Sequence, residues 1–188
     1  MDPSARDRIS EYVKPLAVGL DGVTNFGDIE RVVAAAERIA LGRRDIDADL
    51  LFLLAVFSGQ EKWVSRMGHK SRTVIFLSSL GVEEKTLRSL FRALARFESD
   101  PRTVEEEIVH DAVRLEELGA YGIVRALVAG HRERMDILEM AKEIEQAALA
   151  PLFTEAARQL AEGRRAFMAK FAETLREEHR DFSRSGKP

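Results

Sequence analysis

The sequence predicts an all-α protein of about eight or nine helices, and three observations carry that expectation. Apolar residues recur at three- and four-residue intervals through almost every segment. No sustained alternation of apolar and polar residues bounded by turn residues appears, so strands are not expected. Glycine, proline and capping residues fall where the periodic stretches break.

A first helix is expected over about Ala5 to Leu16 and a second over about Asp28 to Leu41, separated by the loop GLDGVTNFG. Asp47 or Asp49 is placed to cap a third, whose body LLFLLAVF, residues 50–57, is apolar on every side. Such a helix belongs at the centre of a core. Residues 59–70 read as a connection with a short turn of its own, leading to a helix over about 71–80. Gly81 suits the C-terminus of that helix, and an amphipathic helix restarts from about Val82. Asp100-Pro101 breaks it, and Thr103 with Glu106 has the capping-box spacing for the next. Gly119 and Gly122 allow a tight junction into AYGIVRALVAG. Two long helices follow, over about 133–149 and 152–180, divided at Pro151, and the tail SRSGKP is expected to be disordered.

The 188 residues are most simply one domain, long enough to bury a core without disulfides or structural metal. Cysteine is absent, which excludes thiolate metal sites and fits a reducing cytoplasm. The opening Met1-Asp2-Pro3 has no basic and apolar run of a secretory signal, and residues 50–57, the longest apolar run, are too few to span a bilayer. Neither secretion nor a membrane is therefore expected. A net charge of -3 argues against general nucleic-acid binding. Walker, dinucleotide-binding, H-E-x-x-H and G-x-S-x-G motifs are all missing.

One helix carries an unusual residue. In EEEIVHDAVRLEELGAYGI, residues 105–123, Ile108, Ala112, Leu115 and Leu118 mark a buried face, and Asp111 falls on it. A buried carboxylate costs several kcal/mol unless a cation, a metal or hydrogen-bond donors compensate it. Arg31 and Arg114 are candidate cations, and a raised pKa is another answer. His110, about 100° round the helix, is expected to leave that face.

This stretch resembles the last conserved segment of the HD-domain superfamily of metal-dependent phosphohydrolases, whose final metal-ligating aspartate falls at Asp111. Residues 154–175 are similar to the C-terminal helix of the small bacterial members, and DIERVVAAAERIA resembles their first motif helix, which opens H-x-x-R-V. The resemblance spans roughly residues 25–178 and implies one HD-like orthogonal helical domain over 1–182. Within it, 1–24 would be an N-terminal extension, 25–130 the core and 131–182 the C-terminal helices.

The resemblance also implies a divalent metal such as Mn, Ni, Fe or Mg, which activates water toward a phosphoester. Asp28 stands at the first ligand position. The His-Asp pair that should close the apolar helix is replaced by Phe57 and Ser58, a later histidine corresponds to Phe97, and the second acid of the last motif is Val113. A phenyl ring cannot coordinate a cation, and a serine hydroxyl poorly replaces a bridging carboxylate. The expectation is a degenerate, non-catalytic member with no cofactor, its lost site filled by apolar volume. The alternative is an active phosphohydrolase on a nucleotide or other phosphoester, its metal site rebuilt from Asp28, Asp111 and His69.

His69, with Thr73 four residues on, is similar to a family histidine that, the resemblance implies, lies near the substrate or a second metal. Lys62, Trp63, Arg66, His69, Lys70 and Arg72 form the one dense basic cluster with an aromatic, a candidate site for a phosphorylated small molecule with Trp63 stacking on a base. His131, His179, Arg164 and Arg165 read as solvated surface. Leu152, Phe153, Leu160, Phe167, Met168, Phe171 and Leu175 are expected to pack on the core, a protein partner or homodimer through the C-terminal helices being the other use for them.

Overall fold

In the computed structural model, residues 1–17, 26–64 and 66–185 are described, with side chains to Asp181. Every regular element among them is helical: α1 (Pro3–Val13), α2 (Phe26–Ile39), α3 (Ala48–Val56), α4 (Glu61–Val64), α5 (Met67–Ser79), α6 (Glu84–Leu94), α7 (Val104–Glu116), α8 (Gly119–Glu133), α9 (Ile137–Leu149) and α10 (Glu155–Ser185). A 3₁₀ turn, Lys14–Leu16, ends the first expected helix. The ten helices exceed the expected eight or nine because residues 61–64 make a full turn of their own. The expected loop GLDGVTNFG lies outside the described residues up to Asn25, and Phe26 and Gly27 already belong to α2.

The chain divides into two compact units, residues 1–113 and 114–188. In the first, α3 packs against α2 and α6, and α5 against α4 and α6. Residues 50–57 are all buried, as their uninterrupted apolar character requires. Asp47 starts α3 by accepting from the amides of Asp49 and Leu50. Gly81, at φ 83°, ends α5, with its amide donating to Ser78 and that of Val82 to Leu77, which satisfies two orphan carbonyls. The start of α7 is held from both sides. Glu105 accepts from the Asp47 amide at 2.8 Å, and Glu106 takes the guanidinium of Arg96. The capping box is only half formed: Thr103 Oγ1 accepts from the Glu106 amide, while the Glu106 carboxylate bonds the amide of Arg102.

In the second unit, α10 packs against α8 and α9, and α8 against α9. Gly122 cannot be replaced without moving backbone, because a Cβ there would stand 1.9 Å from the Glu117 carbonyl oxygen. The helix expected from residue 133 begins at Ile137. Arg134 is left-handed, at φ 59°, and a complete capping box between Asp136 and Glu139 opens α9. Helix α10 continues through Ser185, so the first half of the expected disordered tail is helical; residues 186–188 lie outside the described residues. Of the apolar positions expected on the core, Leu152 and Met168 are buried, whereas Phe153 and Phe167 are 44% and 52% exposed. Arg164 and Arg165 are half-buried rather than solvated. Arg164 donates to the Leu115 carbonyl at 2.6 Å, and Arg165 reaches the carbonyl of Ala150, so both act as clamps on backbone.

Candidate functional site

Asp111 lies on α7 among buried Ile108, Val109 and Ala112, and is itself 0% exposed. Its Oδ1 is 3.2 Å from Nδ1 of His110. His110 does not leave the buried face: it is 7% exposed. The 100° rotation between neighbours takes a residue out of the core only where one stripe is covered, and α7 is covered round most of its girth, with Glu105 and Glu106 buried as well. Arg114, one of the two candidate arginines, donates to Glu117 at 2.7 Å.

The positions that the sequence resemblance aligns with metal ligands are buried too. Phe57 caps the end of α3 and is 0% exposed. Ser58 is 6% exposed, and its hydroxyl donates to the Ala55 carbonyl at 2.7 Å, one turn back. Phe97, just beyond α6, is 0% exposed, and Asp28, in the first turn of α2, is 6% exposed. Val113 is only half-buried and so does not share in the apolar filling at Phe57 and Phe97. Among the described residues no three His, Asp or Glu side chains converge to hold a metal ion, so Asp28, Asp111 and His69 do not form the rebuilt set. A phenyl ring and a hydroxyl already committed to backbone do not fit a hard divalent cation.

The basic cluster, spread over α4 and α5, divides into inward and outward side chains. Trp63 and His69 turn inward, their rings 4.1 Å apart, and Tyr12 meets the edge of Trp63 while stacking on Phe76 at 4.3 Å. The Tyr12 and Thr73 hydroxyls share a hydrogen bond of 3.1 Å, and Thr73 is fully buried. One face of Trp63 is therefore taken by His69, which leaves it poorly placed to stack on a base. Nδ1 of His69 is buried and has no hydrogen-bond partner among the described residues. Lys62, Arg66, Lys70 and Arg72 remain exposed around this aromatic knot.

Glu61 was not singled out by its sequence context. It opens α4, three residues after Ser58, and accepts from the Gly59 amide at 2.6 Å. Burial pushes its pKa up, against the pull of the backbone amides of Glu61 and Gly59. A glutamate in a connecting turn gives no periodic signal, so nothing in the sequence marks it.

The helices have the fold of the HD-superfamily hydrolases. The Lin1889 protein of Listeria innocua is similar over 96% of this chain and 98% of its own, with 19% identity and a TM-score of 0.79. Bacillus subtilis YpgQ in complex with ADP matches over 93% and 95%, with 20% identity and a TM-score of 0.71. An HD-superfamily hydrolase from Bacillus thuringiensis matches over 94% and 95%, with 22% identity and a TM-score of 0.70. No family profile and no curated protein matches the sequence. No described helix is long and apolar enough to cross a membrane.

Proposed function

We propose that this chain is a non-catalytic HD-fold protein that binds a phosphorylated small molecule. The observation that carries this reading is the end of α3, where Phe57 is fully buried and the Ser58 hydroxyl is bonded to its own helix. An ion there would need donors that neither residue can offer. The exposed cations Lys62, Arg66, Lys70 and Arg72 supply charge for a phosphate. That a protein of the same fold is in complex with ADP supports a nucleotide as the ligand.

Metal analysis of the purified chain, followed by phosphatase and phosphodiesterase assays with added Mn²⁺, Ni²⁺ or Mg²⁺, tests the first half. The expected result is no stoichiometric metal and no turnover. Turnover that Asp111→Ala abolishes would overturn the reading in favour of an active phosphohydrolase. Calorimetric titration with ADP tests the second half. Binding is expected to weaken roughly tenfold in Arg66→Ala, the loss of one charge-assisted contact. No ADP binding to the native chain would remove the nucleotide.

A further inference from the structure

A cleft of about 450 Å³ lies between α5 and α6, lined by Lys70 and Val74 from one helix and Glu84, Leu87, Arg88, Phe91 and Arg92 from the other. The two helices run through the tight turn at Gly81, so they form a hairpin, and residues from both sides meet across it. On α6 the lining residues recur at three- and four-residue steps, which places them along one face. The floor is apolar, made by Val74, Leu87 and the Phe91 ring. The walls are basic. Arg88 is bridged to Glu84 at 3.1 Å, and both are largely exposed. Lys70 Nζ is held 5.1 Å from the centroid of Phe91, above the floor. Neither Lys70 nor Arg92 has a carboxylate partner among the described residues.

We infer that this cleft is a binding site for a small amphiphilic organic anion. Its head group would lie between Lys70 and Arg92, and its apolar body on Val74 and Leu87. The volume falls within the range of small-ligand pockets, roughly 300–1,000 Å³. Two unmatched cations beside an apolar floor fit this class better than a bare inorganic ion, which would gain nothing from the floor, and better than a neutral hydrophobe, which would gain nothing from the cations. The site does not depend on whether the end of α3 supports catalysis. It shares Lys70 with the phosphate cluster proposed above, but Lys62, Arg66 and Arg72 do not line it, and Arg92 belongs to the cleft alone.

Anilinonaphthalene sulfonate serves as the probe, titrated into the full chain and followed by its own fluorescence and by energy transfer from Trp63, the single tryptophan. One saturable site is expected. The double reversal Lys70→Glu with Arg92→Glu should weaken it by roughly tenfold or more, and Lys85→Glu, an exposed cation of α6 outside the cleft, should leave it unchanged. Phenylnaphthylamine, which keeps the rings and lacks the sulfonate, should bind at least roughly tenfold more weakly than the sulfonate. These exposed substitutions should leave the thermal midpoint nearly unchanged; if the double variant does not fold, Arg92→Gln alone should still weaken the probe severalfold. The proposal is overturned if the reversal leaves binding intact, if Lys85→Glu removes it, if the neutral analogue binds equally well, or if only a hexaglutamate peptide competes for these cations.

Discussion

Two of the acids that helix α7 buries, Glu106 and Asp111, lie about one and a half turns apart and are kept in different ways. Glu106 is 1% exposed and carries a full set of donors: the two-pronged guanidinium of Arg96, with Nε at 3.0 Å, and the Arg102 amide at 3.0 Å. Asp111 is 0% exposed and has the His110 imidazole beside it at 3.2 Å. The first arrangement is structural on its face, because it ties α7 to the end of α6 and leaves the carboxylate no spare reach. The second joins the acid to a group that can give or take a proton. Burial alone therefore does not identify a functional acid; the chemistry of its partner does.

The largest effect is expected at Glu106. Glu106→Ala strands Arg96, whose side chain is 21% exposed, and should cost about 3 kcal/mol in urea denaturation, the penalty for breaking a mostly buried ion pair. A loss below about 1 kcal/mol would show that water replaces the carboxylate, and would erase the contrast between the two acids. Asp111→Asn keeps an acceptor for His110 and should cost less, about 1–2 kcal/mol. A gain in stability instead would mark Asp111 as an acid retained against the interest of the fold, as in a working site, and would reverse the assignment.

The helices were largely legible because their signals are local. The apolar run at 50–57, the Asp47 cap and the Gly81 terminus each act within a few residues, and each stands where its chemistry placed it. The burial of Asp111 was legible for the same reason, as a break in a periodic stripe. His110 was not, since a single-stripe picture of α7 cannot know that neighbouring helices cover its other faces. Arg164 and Arg165 were misread as surface because the carbonyls they clamp, at Leu115 and Ala150, are made available by tertiary packing. Trp63 appeared free to stack on a ligand. In the fold the His69 ring lies 4.1 Å from that of Trp63, and the sequence between them gives no sign of it. The cleft above Phe91 needed the hairpin itself, which sets Lys70 over a ring on the next helix.

Glu61 extends the comparison to an acid with neither arginine nor imidazole to hold it. It is half-buried, and the donor at hand is a backbone amide, that of Gly59. Desolvation raises its folded pKa above the unfolded value, with Glu98 adding to the same direction. Between those two values the folded chain binds more protons than the unfolded one, so this group's contribution to stability is fully present below the unfolded pKa and is lost as pH rises through the folded pKa. Glu61→Gln keeps an oxygen acceptor for Gly59 and removes the charge. Its thermal midpoint should therefore exceed that of the native chain by a small margin at pH 7, and the margin should vanish near pH 4, where the native carboxyl is protonated in the fold. A margin that stays constant across this range, or that changes sign at pH 7, would show that the backbone amides compensate the charge as completely as Arg96 compensates Glu106. Partner chemistry would then not separate the three acids.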